Sequence, residues 1–478
     1  MRHLCGENRD QLTLFSTSLD DYIPENHPVR VIDAFIEGLD LAALGFARVA
    51  SAATGRPPYH PGDLLKLYVY GYLHRVRSSR ALEREAARNV ELLWLLGRLV
   101  PDHKTIADFR RHNGPGIQGA CRDFVLVCRK LSLLGGEWVA IDGSHFQAAN
   151  SRARHFTRDK LKERLERLDA RIAAYLAELD AADAEDAPEP APEAEKIAAA
   201  LALLRERRGE YGKLLEELTA RGETQVALTD PEARLLSKGA GKTTVGYNVQ
   251  LGVDAKHKLI ATHAVTNNGL DRAHLSALAT EAKKTLGVER LSLLGDKGYY
   301  EGAEIKACVD HGITPYIPRF ATANSEQRGR YGKQHFRYEP ATDSYRCPGE
   351  QVLERRYGLE RRGKRYHVYE TPACGTCALR ARCTSRKKGP RRIERWEHEA
   401  LLEAMERRVK ADPTLRTRRA SLAEHPFGTL KRAMGHGYFL LRGLEKVRTE
   451  MSLSVLAYNL KRVMTILGCH ALQAALSG

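Results

Sequence analysis

Two short apolar runs in this chain each finish on an aspartate, and that constrains the fold more than any other feature. Trp138-Val139-Ala140-Ile141 leads into Asp142-Gly143-Ser144, and Leu291-Ser292-Leu293-Leu294 leads into Gly295-Asp296-Lys297-Gly298-Tyr299-Tyr300. Both runs read as buried strands, bounded by turn residues. An aspartate at the end of a buried strand stands in a costly place unless a cation or a donor compensates it. Between the two, residues 247–253 alternate as a half-buried strand does. Residues 259–265 follow after a short turn at 256–258, which predicts a hairpin, and residues 271–286 read as a helix. Loops at strand ends are where a rigid sheet presents an open site. One such aspartate is explained by turn formation. Two in one mixed sheet, each with glycine beside it, point to a site.

Helical stretches surround this sheet pattern. Residues 1–134 read as mostly helical. Leu64, Leu65, Tyr68, Val69 and Tyr72 recur at helical spacing after Pro61, a first-turn residue. Ser78 and Ser79 can cap a helix containing Leu82 and Ala86, and residues 105–112 add a third helix rich in Arg and His. Short helices carrying Arg and joined by tight turns resemble a helix-turn-helix DNA-binding unit; a helical dock for the next domain is the alternative.

Within residues 159–220, Leu161, Leu165, Leu168, Ile172, Tyr175 and Leu179 recur at steps of four and three. After a polar, Pro-containing stretch at 181–195 come Ile197, Leu201, Leu204, Tyr211, Leu215 and Leu218, with Arg208 in one seam position. This heptad spacing predicts an antiparallel helical hairpin inserted into a larger domain, with no chemistry of its own. From residue 394 the chain reads as helical around a turn at 435–437. Its last long helix, about residues 445–467, offers Met451, Leu453, Leu456, Leu460 and Met464 to a core.

Lys and Arg total 76 against 60 Asp and Glu, a net charge of +16. That excess favours a polyanionic partner, because neutralising phosphates releases condensed counterions; solubility alone is the alternative reading. The nine cysteines are an odd count. Cys5, Cys121, Cys128, Cys308 and Cys469 are scattered, which does not make a secreted disulfide framework. No secretory signal opens residues 1–15, and no run is apolar and long enough to span a bilayer. The expectation is an intracellular, cytoplasmic protein.

The other four cysteines sit in a basic segment. Cys347 precedes Cys374-Gly375-Thr376-Cys377, and Cys383 follows, with Arg380, Arg382, Arg386, Lys387, Lys388, Arg391 and Arg392 around them. Four thiolates can close a structural Zn²⁺ site; a redox pair and chance spacing are the alternatives. A further motif is Glu424-His425-Pro426-Phe427-Gly428-Thr429-Leu430-Lys431-Arg432. In a helix Glu424 and Lys431 share a face, so a carboxylate and a cation stand together there. A solvated helix surface would look the same.

In their order, the Asp142, Asp296 and Glu424 motifs resemble the DDE transposases of bacterial insertion sequences. Tyr59-His60-Pro61, Arg80-Ala81-Leu82-Glu83 and Asp102-His103-Lys104-Thr105-Ile106-Ala107-Asp108-Phe109-Arg110 resemble that family's helical leading domain. The resemblance implies an α/β fold: a ribonuclease-H-like mixed sheet with flanking helices, behind an all-helical amino-terminal domain. It implies that Asp142, Asp296 and Glu424 are catalytic ligands of two Mg²⁺ (or Mn²⁺) ions. Hard ions prefer carboxylate oxygens, and a pair about 4 Å apart can activate one oxygen and stabilise another. It places a DNA-contacting lysine at Lys431, with Arg432, Arg419, Lys297 and Arg110 as further DNA contacts. The implied partners are double-stranded DNA, both element ends and target, and a second copy of the chain when DNA is bound. Two departures stand out. Relatives carry Tyr and Arg where this chain has Thr417 and Ala420, with Arg416, Arg418 and Arg419 close by, and Pro426 would start or kink a helix near Glu424.

The expected organisation is a helical DNA-binding domain at 1–134, catalytic core at 135–158, 223–323 and 393–478, a helical hairpin at 159–222 and a Cys-rich module at 324–392. The expected function is cutting DNA at element ends and joining them to target DNA. A nuclease that does not transpose and a DNA-binding regulator without catalysis are the alternatives; the intact carboxylate trio argues against the regulator.

Overall fold

A computed structural model of the chain describes residues 18–50, 57–184, 192–237, 243–319, 329–386 and 388–477. Cys5, Lys387 and residues 185–191 of the Pro-containing link lie outside the described residues.

The amino-terminal region is helical: α1 (Pro28–Glu37), α2 (Pro61–Leu73), α3 (Ser79–Ala86), α4 (Val90–Leu95), α5 (His103–His112) and α6 (Gly114–Lys130). Local chemistry sets their starts. His60 accepts from the Gly62 N–H with Pro61 in the first turn, Ser78 accepts from the Ala81 N–H, and Asp102 accepts from the Lys104 and Thr105 N–H groups. Next come β1 (Trp138–Gln147), β2 (His155–Thr157), α7 (Arg158–Ala184), α8 (Pro192–Ala220) and β3 (Gln225–Ala227). Then follow β4 (Arg234–Ser237), β5 (Thr243–Asp254), β6 (Ile260–Thr266), α9 (Leu275–Leu286), β7 (Leu291–Leu294), α10 (Gly302–Asp310) and β8 (Ile313–Tyr316). A second sheet holds β9 (Arg337–Glu339), β10 (Ser344–Arg346), β11 (Val352–Arg361), β12 (Lys364–Glu370) and, after α11 (Arg380–Cys383), β13 (Ile393–Trp396). The chain ends with α12 (Glu399–Ala411), α13 (Leu415–Gly428), α14 (Leu444–Leu467) and α15 (Cys469–Ser477). No helix among the described residues is long and apolar enough to cross a membrane.

The main sheet is mixed, in the order β4-β5-β1-β7-β8, with β6 also paired to β5. β1 runs antiparallel to β5 from Val139 to Gln147, but parallel to β7 only from Trp138 to Ala140. Side-chain alternation sends Val139 and Ile141 to one face, where they pack with Leu275, Leu278 and Ala282 of α9 and Ile305 of α10. Ala140 goes to the other face, with Leu415 and Leu422 of α13. The sheet is therefore covered on both sides. This corrects the reading of residues 247–253 as half-buried: β5 is buried from Val245 to Asp254, and its alternate polar residues Asn248 and Gln250 are fully inside. Buried polar groups need partners, and these two find them at the site described below.

α14 ties the two regions together. Met451, Leu453, Leu456 and Leu460 are buried in one continuous core with α2, α6 and β6. Glu450, fully buried, accepts from the Leu440 and Leu441 N–H groups at 3.0 Å and pairs with Arg77 at 3.4 Å. The heptad segments form paired helices α7 and α8 whose base is closed by β2 and β3. Leu161, Leu201, Leu204 and Leu218 are buried, and the seam residue Arg208 is paired with Asp169 of the facing helix.

The register that holds β1 can be tested at Gly246, which lies opposite Gln147 on one side and Arg234 on the other. A Cβ there would overlap the Phe146 carbonyl oxygen. Gly246→Ala should cost about 1–3 kcal/mol of stability through forced backbone shifts, read by chemical denaturation. A variant as stable as the parent would contradict this register.

Candidate active site

Asp142 lies inside β1, not at its end as the sequence suggested. The strand end that matters belongs to its neighbour: β7 stops at Leu294 opposite Ala140, so the parallel edge of β1 is open where Asp142 stands. Asp142 follows Ala140 by two residues and so faces α13. The chain leaving β7 turns there, and Asp296 caps a short turn at Lys297–Tyr299, accepting from the Gly298 N–H at 2.7 Å. The two aspartates thus flank one notch in the sheet.

Asp142 Oδ1 accepts from the Gly143 N–H at 2.9 Å, and Oδ2 is paired with Arg419 Nη1 at 3.1 Å. Burial pushes the Asp142 carboxyl up to about 6; the neighbouring Asp296 and Asp271 charges push the same way, against Arg419 and the Gly143 N–H. Arg419 comes from α13, which continues past Pro426. Pro426 neither starts the helix nor ends it. A π-helical turn at Thr429–Ala433 follows and carries Lys431 onto β1, where Nζ donates to Ser144 Oγ at 2.5 Å and to the His145 carbonyl at 2.9 Å. Arg419 and Lys431 are therefore both delivered to the strand that bears Asp142.

Glu424 lies on α13 between these two cations in sequence, on the exposed side of the helix. Its carboxylate is not gathered with the two aspartates: among the described residues, no three His, Cys, Asp or Glu side chains are arranged to hold a metal ion. Lys297 and Arg432 are exposed. Arg110 does not fit a DNA-contacting role. It is 7% exposed, lies over the Tyr68 ring at 5.2 Å, and its charge acts on buried Glu450. Reaching DNA would require opening that core.

Beside Asp296 a groove of about 420 Å³ is lined by Lys297, Tyr316, Val409, Arg416 and Arg419. Its cations suit an anionic ligand, and its volume is that of a small-ligand site. The sequence reading missed Asp271, Asn248, Gln250 and Tyr299. Asp271 Oδ1 accepts from Asn248 Nδ2 at 2.8 Å and Gln250 Nε2 at 2.6 Å, and Gln250 Oε1 accepts from the buried Tyr299 hydroxyl. The available signal was two polar residues at alternate positions of an apolar strand.

The four cysteines of the basic segment come from the connections of the second sheet, Cys347 just after β10, Cys374 and Cys377 after β12 and Cys383 at the end of α11. Cys347, Cys374, Cys377 and Cys383 line one cavity of about 20 Å³ together with Arg380 and Arg391. Burial, and then the other three thiols, push the Cys383 thiol up. The cavity is also lined by Phe336, Leu353 and Thr371, and the four thiols are not arranged as a ready-made metal site.

Two family models match the chain. One, described as a transposase domain (DUF772), matches residues 17–112; the other, described as a Transposase DDE domain, matches residues 346–464. The second spans the four cysteines, Arg419, Glu424 and Lys431; Asp142 and Asp296 lie between the two matched segments. No curated protein matches the chain.

The raised Asp142 carboxyl has a consequence for stability. Its folded-state value lies above its unfolded one, so the folded protein holds the extra proton between the ordinary carboxylate range and about pH 6. Stability is therefore lost as pH rises through that window. In metal-free protein at pH 7.5, Asp142→Asn should be more stable by roughly 1–3 kcal/mol, and the gain should vanish near pH 4. Denaturation curves across pH check this; a less stable variant at pH 7.5 would contradict it.

Proposed function

Since this chain is a DDE-type transposase of insertion sequences, we propose that it cuts DNA at the ends of an element and joins those ends to target DNA, with Asp142, Asp296 and Glu424 holding divalent cations. The observation that carries this is the notch at the end of β7, where two aspartates face one opening between a buried strand and a helix that brings cations. The chemistry of the donors fits a hard cation. The Asp142 carboxyl is destabilised as an anion by burial and by two neighbouring carboxylates, and a bound cation reverses that preference. Bound Mg²⁺ or Mn²⁺, in a pair, would activate the attacking oxygen and stabilise the leaving one.

The chain's own residues do the rest. Arg419 pairs with Asp142 and, with a cation holding that carboxylate, would be free to meet a phosphate. Lys297 and Arg416, on the groove beside Asp296, hold the backbone of the DNA end. Lys431 anchors the turn after α13 to Ser144, which sets the distance between Glu424's helix and β1, and Arg432 stands exposed beside it for a phosphate contact. Glu424, exposed on α13 between Arg419 and Lys431 in sequence, is the third carboxylate of this reading. The main sheet is read as ribonuclease-H-like, with β1 central, the second acid after β7 and the third on a late helix. The protein works in the cytoplasm on double-stranded DNA as a homodimer, one copy to each element end. For the four cysteines the reading is one Zn²⁺: they line one cavity, and the ion would draw their thiols together into its coordination shell.

Asp142→Ala, Asp296→Ala and Glu424→Ala should each reduce Mg²⁺-dependent cleavage of an element end by roughly a thousandfold or more. Gel-shift binding of the same DNA should stay near the parent level, because each change removes a metal ligand and not a phosphate contact. Parent-like cleavage by any one of the three removes that residue from the assignment.

Elemental analysis tests the cysteines. Purified reduced protein should carry about one zinc per chain, retained in Asp142→Ala and absent from Cys374→Ser. Zinc-free parent protein would leave the four as ordinary thiols.

A further inference from the structure

Asp271 opens the short 3-10 turn Asp271–Ala273 that precedes α9, on the face of the sheet opposite α13. Its carboxylate occupies the place where a side chain on residue 143 would stand. A Cβ on Gly143 would lie 2.6 Å from Asp271 Oδ1 and would overlap Gln250 Nε2 as well. The other oxygen points toward Asp296: a Cβ on Gly298 would lie 2.9 Å from Asp296 Oδ1 and 3.6 Å from Asp271 Oδ2. Gly143 is therefore a space kept open for this carboxylate, and at Gly298 a side chain would stand between it and Asp296. Asp142 faces α13 and Asp271 comes from behind β1, so the bare Gly143 lets negative charge approach the notch from both sides of one strand.

Asp271 is also held in place. Asn248 and Gln250 donate to its Oδ1 at 2.8 and 2.6 Å, and the Tyr299 hydroxyl fixes the Gln250 amide from the other end. Asn248 Nδ2 also donates to the Asn268 carbonyl at 3.3 Å, which sets the orientation of its amide. Its Oδ1 then faces Gly143, where a Cβ would lie 3.2 Å away. That oxygen is fully buried and has no donor among the described residues. A buried carbonyl oxygen without a donor, aimed into a carboxylate cluster, is an arrangement that favours a cation or its bound water.

We propose that Asp271 is a positioning residue for the Asp142–Asp296 pair: a third negative charge, clamped by Asn248 and Gln250 behind Gly143, that strengthens the pair's hold on a divalent cation. This rests on reading Asp142 and Asp296 as cation ligands. Crowding like charges destabilises the metal-free site and adds attraction for a cation, so the charge should help only when the ion is bound.

The test uses full-length, DNA-free protein titrated with Mn²⁺ and followed by the electron paramagnetic resonance of the free ion. Asp271→Asn should weaken Mn²⁺ binding by about tenfold, and Asp271→Glu, which keeps the charge, should recover most of it. The metal-free melting temperature of Asp271→Asn should equal or exceed that of the parent, while its rise on adding Mn²⁺ should shrink. Unchanged Mn²⁺ affinity, or a metal-free protein that melts below the parent, overturns the proposal and makes Asp271 a structural acceptor for Asn248 and Gln250. Parent protein that takes up no Mn²⁺ overturns the cation reading of Asp142 and Asp296 itself, and the proposal with it.

Discussion

The antiparallel pairing of β1 with β5 runs on to Gln147, while its parallel pairing with β7 ends at Ala140. Everything at the site depends on that mismatch. A strand paired on both edges along its whole length would bury Asp142 with no opening. A strand that ended at Asp142 would leave the carboxylate on a loose turn. Pairing along one edge alone keeps the backbone rigid and the side chain accessible, and the chain leaving β7 turns at once, with Asp296 capping that turn across the gap.

The charge balance of the notch follows from what packs on each side. α13 covers the Ala140 face and supplies Arg419; the turn after it supplies Lys431. The α9 face supplies Asp271 and the two amides that hold it. Negative charge is thus concentrated along the sheet and positive charge along the helix edge that faces it, with the Asp142–Arg419 ion pair joining the two. Lys431 donates to the Ser144 hydroxyl and the His145 backbone carbonyl, and these two bonds to β1 locate the helix end.

Much of the architecture was legible because its signals are local. Pro61 in a first turn, Ser78 as a cap, the turn at 256–258 and the heptads of α7 and α8 act within a few residues or along one helix. Asp142 and Asp296 were legible as acids next to apolar strands. What was not legible depends on partners far away in the chain. The open edge at Asp142 is set by where β7 stops. The burial of Arg110 is set by Glu450 on α14, and the burial of Asn248 and Gln250 by Asp271 and Tyr299. Pro426 was misleading for a related reason: a proline inside a helix costs one hydrogen bond, but Pro426 and Phe427 are both buried, and packing outweighs that loss.

The most direct test of the account is a crystal structure of the parent protein soaked in Mn²⁺, with anomalous scattering used to locate the ion. The account predicts a Mn²⁺ peak in the notch, bound by Asp142 and Asp296, with Arg419 no longer within hydrogen-bonding distance of Asp142. A saturating soak that leaves the Asp142–Arg419 pair at its present 3.1 Å, with no Mn²⁺ between the two aspartates, would contradict it.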